Sequence, residues 1–140
     1  MKKRKRATII SILLIFVITV MLWDVGVKIF IRTNYQSLET FAVKSLKIAS
    51  SEYEQVRYGI WNASCWKNAN VVEFYTGSIG IAPSSHVKGF YYSANDIPIA
   101  FNAADTLLIA DESGWHWEKF GNHGKTERII PHWFWYEAHF

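Results

Sequence analysis

The chain contains a single cysteine, Cys65, among 140 residues. One thiol cannot form an intramolecular disulfide, so any domain in this sequence must be stabilised by its hydrophobic core. Aromatic residues, which bury a large area per side chain, make up 16% of the chain and can supply that core. Cys65 also lacks a CxxC partner and a neighbouring histidine. We therefore expect it to be a buried, unreactive thiol.

Local catalytic motifs are also missing. The sequence contains no GxSxG nucleophile elbow, no P-loop, no GxGxxG fingerprint and no HExxH zinc motif. It contains no internal repeat and no low-complexity tract either. We therefore expect a protein that is not an enzyme and that uses no cofactor and no metal.

Charge is absent from residues 7–23, directly after the five cations Lys2-Lys3-Arg4-Lys5-Arg6. A helix of that length spans roughly 26 Å, slightly less than a hydrocarbon core of about 30 Å, and apolar residues as far as Ile31 can extend it. Cations that flank a span stay on the cytoplasmic side. The pattern predicts a cytoplasmic basic stub (1–6), a single-pass transmembrane anchor in the cell membrane (7–31) and an extracytoplasmic domain (32–140).

A cleaved signal peptide would begin with the same cations. Its cleavage requires a small-x-small site, but no alanine occurs between Ala7 and Ala42, and Gly26 has Asp24 two residues before it. An uncleaved anchor is therefore the favoured interpretation. The alternatives are a cleaved signal and a helix buried in a soluble core.

Acidic residues are absent before Asp24, and all 12 of them lie from there onward. Five of the 15 lysines and arginines precede the anchor and ten remain, so the part of the chain from Asp24 onward has a net charge near −2. Such a domain lacks the basic surface that binds nucleic acid. The N-terminal cations are better explained by membrane topology and anionic lipid.

The sequence of the outer part predicts one helix followed by strands. Apolar residues recur at helical spacing over residues 35–49, which predicts an amphipathic helix. Turn residues, including Gly77-Ser78-Ile79-Gly80, then separate short β-branched or aromatic runs, as in an antiparallel meander. The predicted strands are 56–60, 71–76, 88–93, 99–101, 106–110, 115–120, 127–130 and 133–140. The predicted fold class is α+β: a transmembrane helix, then an amphipathic helix packed on a curved antiparallel β-sheet.

Four tryptophans near the end of the chain form two pairs, Trp115 with Trp117 and Trp133 with Trp135, and one residue separates the members of each pair. Side chains two apart on a strand share a face, so each pair projects together. Exposed on neighbouring strands, the four indoles would form a platform for stacking sugars or inserting into a protein; buried, they would be core. The predicted binding residues are Trp115, Trp117, Trp133, Trp135, Glu137 and His139.

Two segments, His116-x-Glu118 and Glu137-x-His139, each place an imidazole and a carboxylate on one strand face. Such groups can bind zinc or perform acid–base chemistry, but the same spacing is typical of a solvated polar face. The sequence therefore predicts a membrane-anchored binding or accessory module of unknown specificity that contacts an envelope protein or glycan. The alternatives are a small envelope hydrolase or metal-binding protein that uses these four residues, and a structural subunit of a membrane complex.

Overall fold

The computed structural model describes the backbone of residues 2–81 and 84–140. It describes the side chains of these ranges apart from residues 2–7, 16, 20, 21 and 81. In this part of the chain one long helix is followed by eight strands, which confirms the predicted α+β class. The elements are α1 (Lys2–Ile48), β1 (Tyr53–Tyr58), β2 (Trp61–Trp66), β3 (Val71–Ile81), β4 (Ser84–Ser93), β5 (Ile109–Asp111), β6 (Gly114–Lys119), β7 (Asn122–Ile130) and β8 (Trp133–His139).

The chain forms two compact units, Met1–Thr33 and Asn34–Phe140. In the first unit, α1 carries exposed aliphatic side chains such as Ile9, Leu13 and Val17. From Thr8 onward the helix is apolar and long enough to cross a membrane by length and composition. The side chains of the five N-terminal cations lie outside the described residues.

In the second unit, α1 continues to Ile48 and packs on the sheet through one face. The Phe41 ring lies 5.0 Å from that of Tyr58 in β1 and 5.9 Å from that of Phe74 in β3. Leu38 and Ala42 are fully buried on the same helix. The apolar spacing that predicted an amphipathic helix therefore corresponds to its buried side.

The eight strands form one antiparallel sheet in the order β1-β2-β3-β4-β8-β7-β6-β5. Strands β1–β4 form one meander and β5–β8 a second, and they join because β8 pairs with β4. The prediction of a single meander is wrong at this connection. The physical reason is the composition of β8, which carries aromatic side chains on both faces and is buried on both sides as a central strand.

Three local predictions also differ from the structure. Strand β2 was not predicted, because Asn62-Ala63-Ser64 has little β-propensity. Gly77-Ser78-Ile79-Gly80 is not a turn: β3 continues through it, past a bulge after Tyr75, and pairs with β4. The predicted strand 99–101 belongs instead to the connection between β4 and β5, and Phe101–Ala103 forms a short 3-10 turn there.

The sheet has two faces that are covered in different ways. The helix face carries Phe74 and Phe90, whose rings stack 4.6 Å apart near Phe41. The opposite face lies under residues 94–108, the connection that crosses from β4 to β5, and we call it the crossover face. There Phe101 contacts Tyr136 with ring centroids 5.5 Å apart. Both faces of the central strands are therefore buried.

Candidate functional site

The four candidate tryptophans do not form one exposed surface. Trp117, Trp133 and Trp135 are only 7%, 1% and 4% exposed, and Trp115 is half-buried. The register also separates the pairs: Trp115 and Trp117 lie on the crossover face, whereas Trp133 and Trp135 lie on the helix face. The exposed platform that the sequence predicts is therefore not present, because these large apolar side chains pack against neighbours on both sides of the sheet.

Three histidines form a row across β4, β8 and β7 on the helix face. His139 is the register partner of both His86 and His123. Its ring stacks on that of His86, with centroids 3.9 Å apart, and on that of His123, with centroids 4.7 Å apart. All three line a groove of about 360 Å³. The sheet thus brings together imidazoles that are far apart in the sequence.

Two residues along each strand and on the same face, Glu137 occupies the centre of a second row between Lys88 and Lys125. Its carboxylate oxygens lie 3.4 Å from the Lys125 ammonium and 3.9 Å from the Lys88 ammonium. Glu137 Oε2 is also 3.3 Å from His86 Nε2, which joins the two rows. These six residues are called the histidine cluster below: His86, Lys88, His123, Lys125, Glu137 and His139.

The buried Trp135 indole lies beside the two lysines of the cluster. The ammonium groups of Lys88 and Lys125 are 5.6 and 5.3 Å from the centre of its ring. At this distance a cation is attracted by the π-face of an indole. Each lysine therefore contacts both the carboxylate of Glu137 and the indole of Trp135.

The electrostatic setting of His139 favours its neutral form. Burial lowers the pKa of His139, and its neighbours His86 and His123 lower it further because two adjacent imidazolium ions repel. The negative charge of Glu137 raises the pKa of His139 and so opposes these effects in part. A neutral imidazole keeps one ring nitrogen with a free lone pair, which is the form that binds a metal ion.

One nitrogen of the cluster is poorly satisfied. His86 Nε2 is buried and makes no aligned hydrogen bond with any residue that the structure describes, although Glu137 Oε2 lies 3.3 Å away. The two atoms are close enough for an ion pair, but they are not aligned for a hydrogen bond. A buried polar atom in this state normally costs about 1–3 kcal/mol.

The four residues of the enzyme alternative do not converge. Glu137 and His139 belong to the histidine cluster, but His116 Nδ1 lies 3.0 Å from Asp111 Oδ2 near the sheet edge. Both His116 and Glu118 are on β6, two strands or roughly 10 Å from β8. Glu118 is exposed and is the register partner of His123.

Four cluster residues were absent from the sequence prediction: His86, Lys88, His123 and Lys125. A usable signal exists, since both His86-Val87-Lys88 and His123-Gly124-Lys125 have the spacing His-x-Lys. On strands, this spacing places the two side chains on one face. This signal is hidden in the sequence because the predicted strand 127–130 leaves His123 and Lys125 outside it, whereas β7 already begins at Asn122.

Two other reactive groups are buried and structural. Cys65 is a free thiol and fully buried, which confirms the expectation of a buried cysteine, and its pKa is raised by burial and by Glu54. Glu73 lies on the crossover face and accepts hydrogen bonds from Trp66 Nε1 at 3.1 Å and from the Asn102 amide at 3.2 Å. Burial raises its pKa to about 7.

No protein-family model, no curated protein and no solved structure matches this chain. Its function must therefore be inferred from the chemistry of the histidine cluster and from the character of α1.

Proposed function

We propose that the chain is a single-pass membrane protein whose N-terminus is cytoplasmic and whose second unit lies outside the membrane. Two features support this. The helix from Thr8 is apolar and long enough to span, and the cations before it resist transfer across the bilayer. The net charge near −2 of the part that follows does not oppose its export.

The exported unit acts as a binding module without enzymatic activity, and the histidine cluster is its binding surface. The observation that carries this proposal is the convergence of six titratable side chains, three of which line an open groove. Most polar side chains in proteins are satisfied by one or two local partners. A dense group of ionisable residues in a concavity is the usual sign of a ligand site.

The tether gives such a module a physical advantage. Confinement to the membrane surface raises its effective concentration toward other envelope components, so a weak contact is sufficient. The proposed partner is an envelope protein or glycan that meets the cluster, with nucleic acid excluded by the charge of the exported part.

The orientation is tested by fusing alkaline phosphatase or a green fluorescent protein to the C-terminus of the full-length chain. Phosphatase is active only outside the membrane and the fluorescent protein folds only inside, so we expect phosphatase activity without fluorescence. Replacing all five residues of Lys2-Lys3-Arg4-Lys5-Arg6 by serine should reduce that preference. Fluorescence without phosphatase activity refutes the orientation, and a mature chain that begins beyond residue 25 refutes the anchor.

The binding role is tested by cross-linking in membranes followed by capture of the full-length chain. Wild type and the control His116→Ala should recover the same partner. The double variant His123→Ala/Lys125→Ala should recover at least about tenfold less, corresponding to about 1.4 kcal/mol of lost binding energy. Equal recovery by all three proteins would remove the histidine cluster as the binding surface.

A further inference from the structure

We infer that the histidine cluster holds a divalent transition metal ion of the zinc and copper class, with His86, His139 and Glu137 as ligands. This inference rests on the proposed binding role of the same surface and names its ligand. One ligand atom from each of the three residues lies within 4.8 Å of the other two. Ligands of one tetrahedral ion, each about 2.1 Å from the metal, are about 3.4 Å apart. Small side-chain rotations are therefore sufficient.

The donor set selects the class of metal. Two imidazoles and one carboxylate are typical ligands of zinc, copper, nickel and cobalt, whereas magnesium and calcium prefer sites built entirely from oxygen. Three protein ligands leave one position of a tetrahedral ion open. His123 stacks on the other side of His139 but lies outside this group of three ligands.

The poorly satisfied ring nitrogen of His86 also supports a metal site. His86 Nε2 is buried, lacks an aligned hydrogen bond to the described residues and has a carboxylate oxygen 3.3 Å away. A nitrogen and an oxygen at this distance and out of hydrogen-bond alignment resemble two ligands of a shared ion. A metal would satisfy both atoms at once.

The two lysines do not prevent cation binding, because each has a second partner. Lys125 is about half exposed and Lys88 less so, and both ammonium groups also contact the Trp135 ring. When Glu137 turns to a metal, the lysines remain on the indole or move into water. An anion such as phosphate is the competing ligand, and it would require the lysines to leave Glu137 and the imidazoles to be protonated.

The test uses the full-length chain in detergent micelles, purified without a histidine tag. Zinc binding is followed by calorimetry and cobalt binding by the visible absorption of a tetrahedral ion. We expect one ion per chain with a dissociation constant of about 1 μM or below. Magnesium, calcium and phosphate should show no saturable binding.

The variants identify the ligands. His86→Gln, His139→Gln and Glu137→Gln should each weaken zinc binding by more than about tenfold. His123→Gln should weaken it less, and the matched control His116→Gln, on the same face but paired with Asp111, should bind as wild type. The ligands lie on two different strands, so a folding defect in one variant leaves the others as valid tests.

Several results would overturn the inference: no saturable zinc binding, equal loss in the His116→Gln control, or phosphate binding that depends on the cluster. If zinc does not bind but partner capture still depends on His123 and Lys125, the metal fails and the binding module stands. If zinc binds to the three ligands but the reporter places the C-terminus in the cytoplasm, the proposed function fails and the metal site stands.

Discussion

The same central strands carry two very different polar sites, one on each face of the sheet. On the crossover face, the Tyr91 hydroxyl bonds to Thr126 Oγ1 at 2.7 Å and accepts from the Ile99 amide at 2.9 Å. Glu73 nearby accepts two hydrogen bonds. On the helix face, the histidine cluster brings six ionisable groups together, and its three histidines line a groove. Among the described residues, His86 Nε2 finds no aligned hydrogen-bond partner.

The difference shows how a fold separates structural polar groups from functional ones. Glu73 and Tyr91 are buried and bonded to the crossover segment, so they hold residues 94–108 over the sheet. The cluster residues are at least partly exposed and contact one another. We therefore expect substitutions on the crossover face to change stability, and substitutions in the cluster to change binding.

The largest effect should come from Phe134→Ala on the crossover face. Phe134 is fully buried and its ring stacks on that of Tyr91 with centroids 5.0 Å apart. Removing it leaves a cavity that lowers the free energy of unfolding by about 3–5 kcal/mol. Chemical denaturation of the full-length chain in micelles, followed by tryptophan fluorescence, measures this. The control Phe120→Ala, at a side chain 94% exposed, should change it by less than about 0.5 kcal/mol.

The next largest effect is a pH dependence that Glu73 confers. Its pKa is about 7 in the folded chain against an ordinary 4.5, so the folded state binds this proton more tightly than the unfolded state. The stabilisation is complete below pH 4.5 and falls as the pH rises to about 7, by at most about 3 kcal/mol.

Glu73→Gln removes this contribution, so its free energy of unfolding should rise relative to wild type across the same pH window. Urea denaturation at a series of pH values gives the difference. Glu112→Gln, at an exposed position, is the matched control for the loss of one carboxyl group. A constant difference between Glu73→Gln and wild type at every pH would contradict the raised pKa.

A smaller effect is expected from Tyr91→Phe, which keeps the ring and removes the hydroxyl. Thr126 and the Ile99 amide then lose a buried partner, at a cost of about 1–3 kcal/mol. Hydrogen exchange at the Ile99 amide should also become faster, because its acceptor is gone. Tyr53→Phe, at an exposed tyrosine, serves as the control. Unchanged exchange at Ile99 would mean that the crossover segment is held by other contacts.

The smallest effect on stability should be that of His139→Gln in a metal-free solution. The side chain is partly exposed, and its loss removes a crowded imidazole from between two others. We expect a change within about 0.5 kcal/mol. If His139→Gln lowered the free energy of unfolding as much as Tyr91→Phe, the cluster would be a structural network. The two faces would then not differ in the way proposed.

The elements with strong local patterns could be predicted from the sequence. The buried side of α1 follows from the spacing of Leu38, Phe41 and Ala42, and β8 follows from its continuous aromatic run. Strand β2 and the second half of β3 could not be predicted, because Ala63, Ser64 and Gly77 have low β-propensity. Pairing with neighbouring strands and burial of Ala63 and Cys65 outweigh that local preference.

The candidate site could be predicted only in part. The spacing of Glu137 and His139 places them on one face from sequence alone, and the structure keeps them there. Their neighbours are not local: His86 reaches His139 only because β4 pairs with β8, and His123 only because β7 pairs with β8. The pairing of β6 with β7, together with that of β7 with β8, explains why the tryptophan pairs fall on opposite faces.

By itself, the sequence determined the long apolar helix and the α+β class, because those depend on hydrophobic periodicity and on residues close together in the chain. Only the tertiary structure decided which strand lies beside which, and therefore which side chains meet. Strand order and register are properties of hydrogen bonding between distant segments, and a shift by one residue would turn every side chain to the other face.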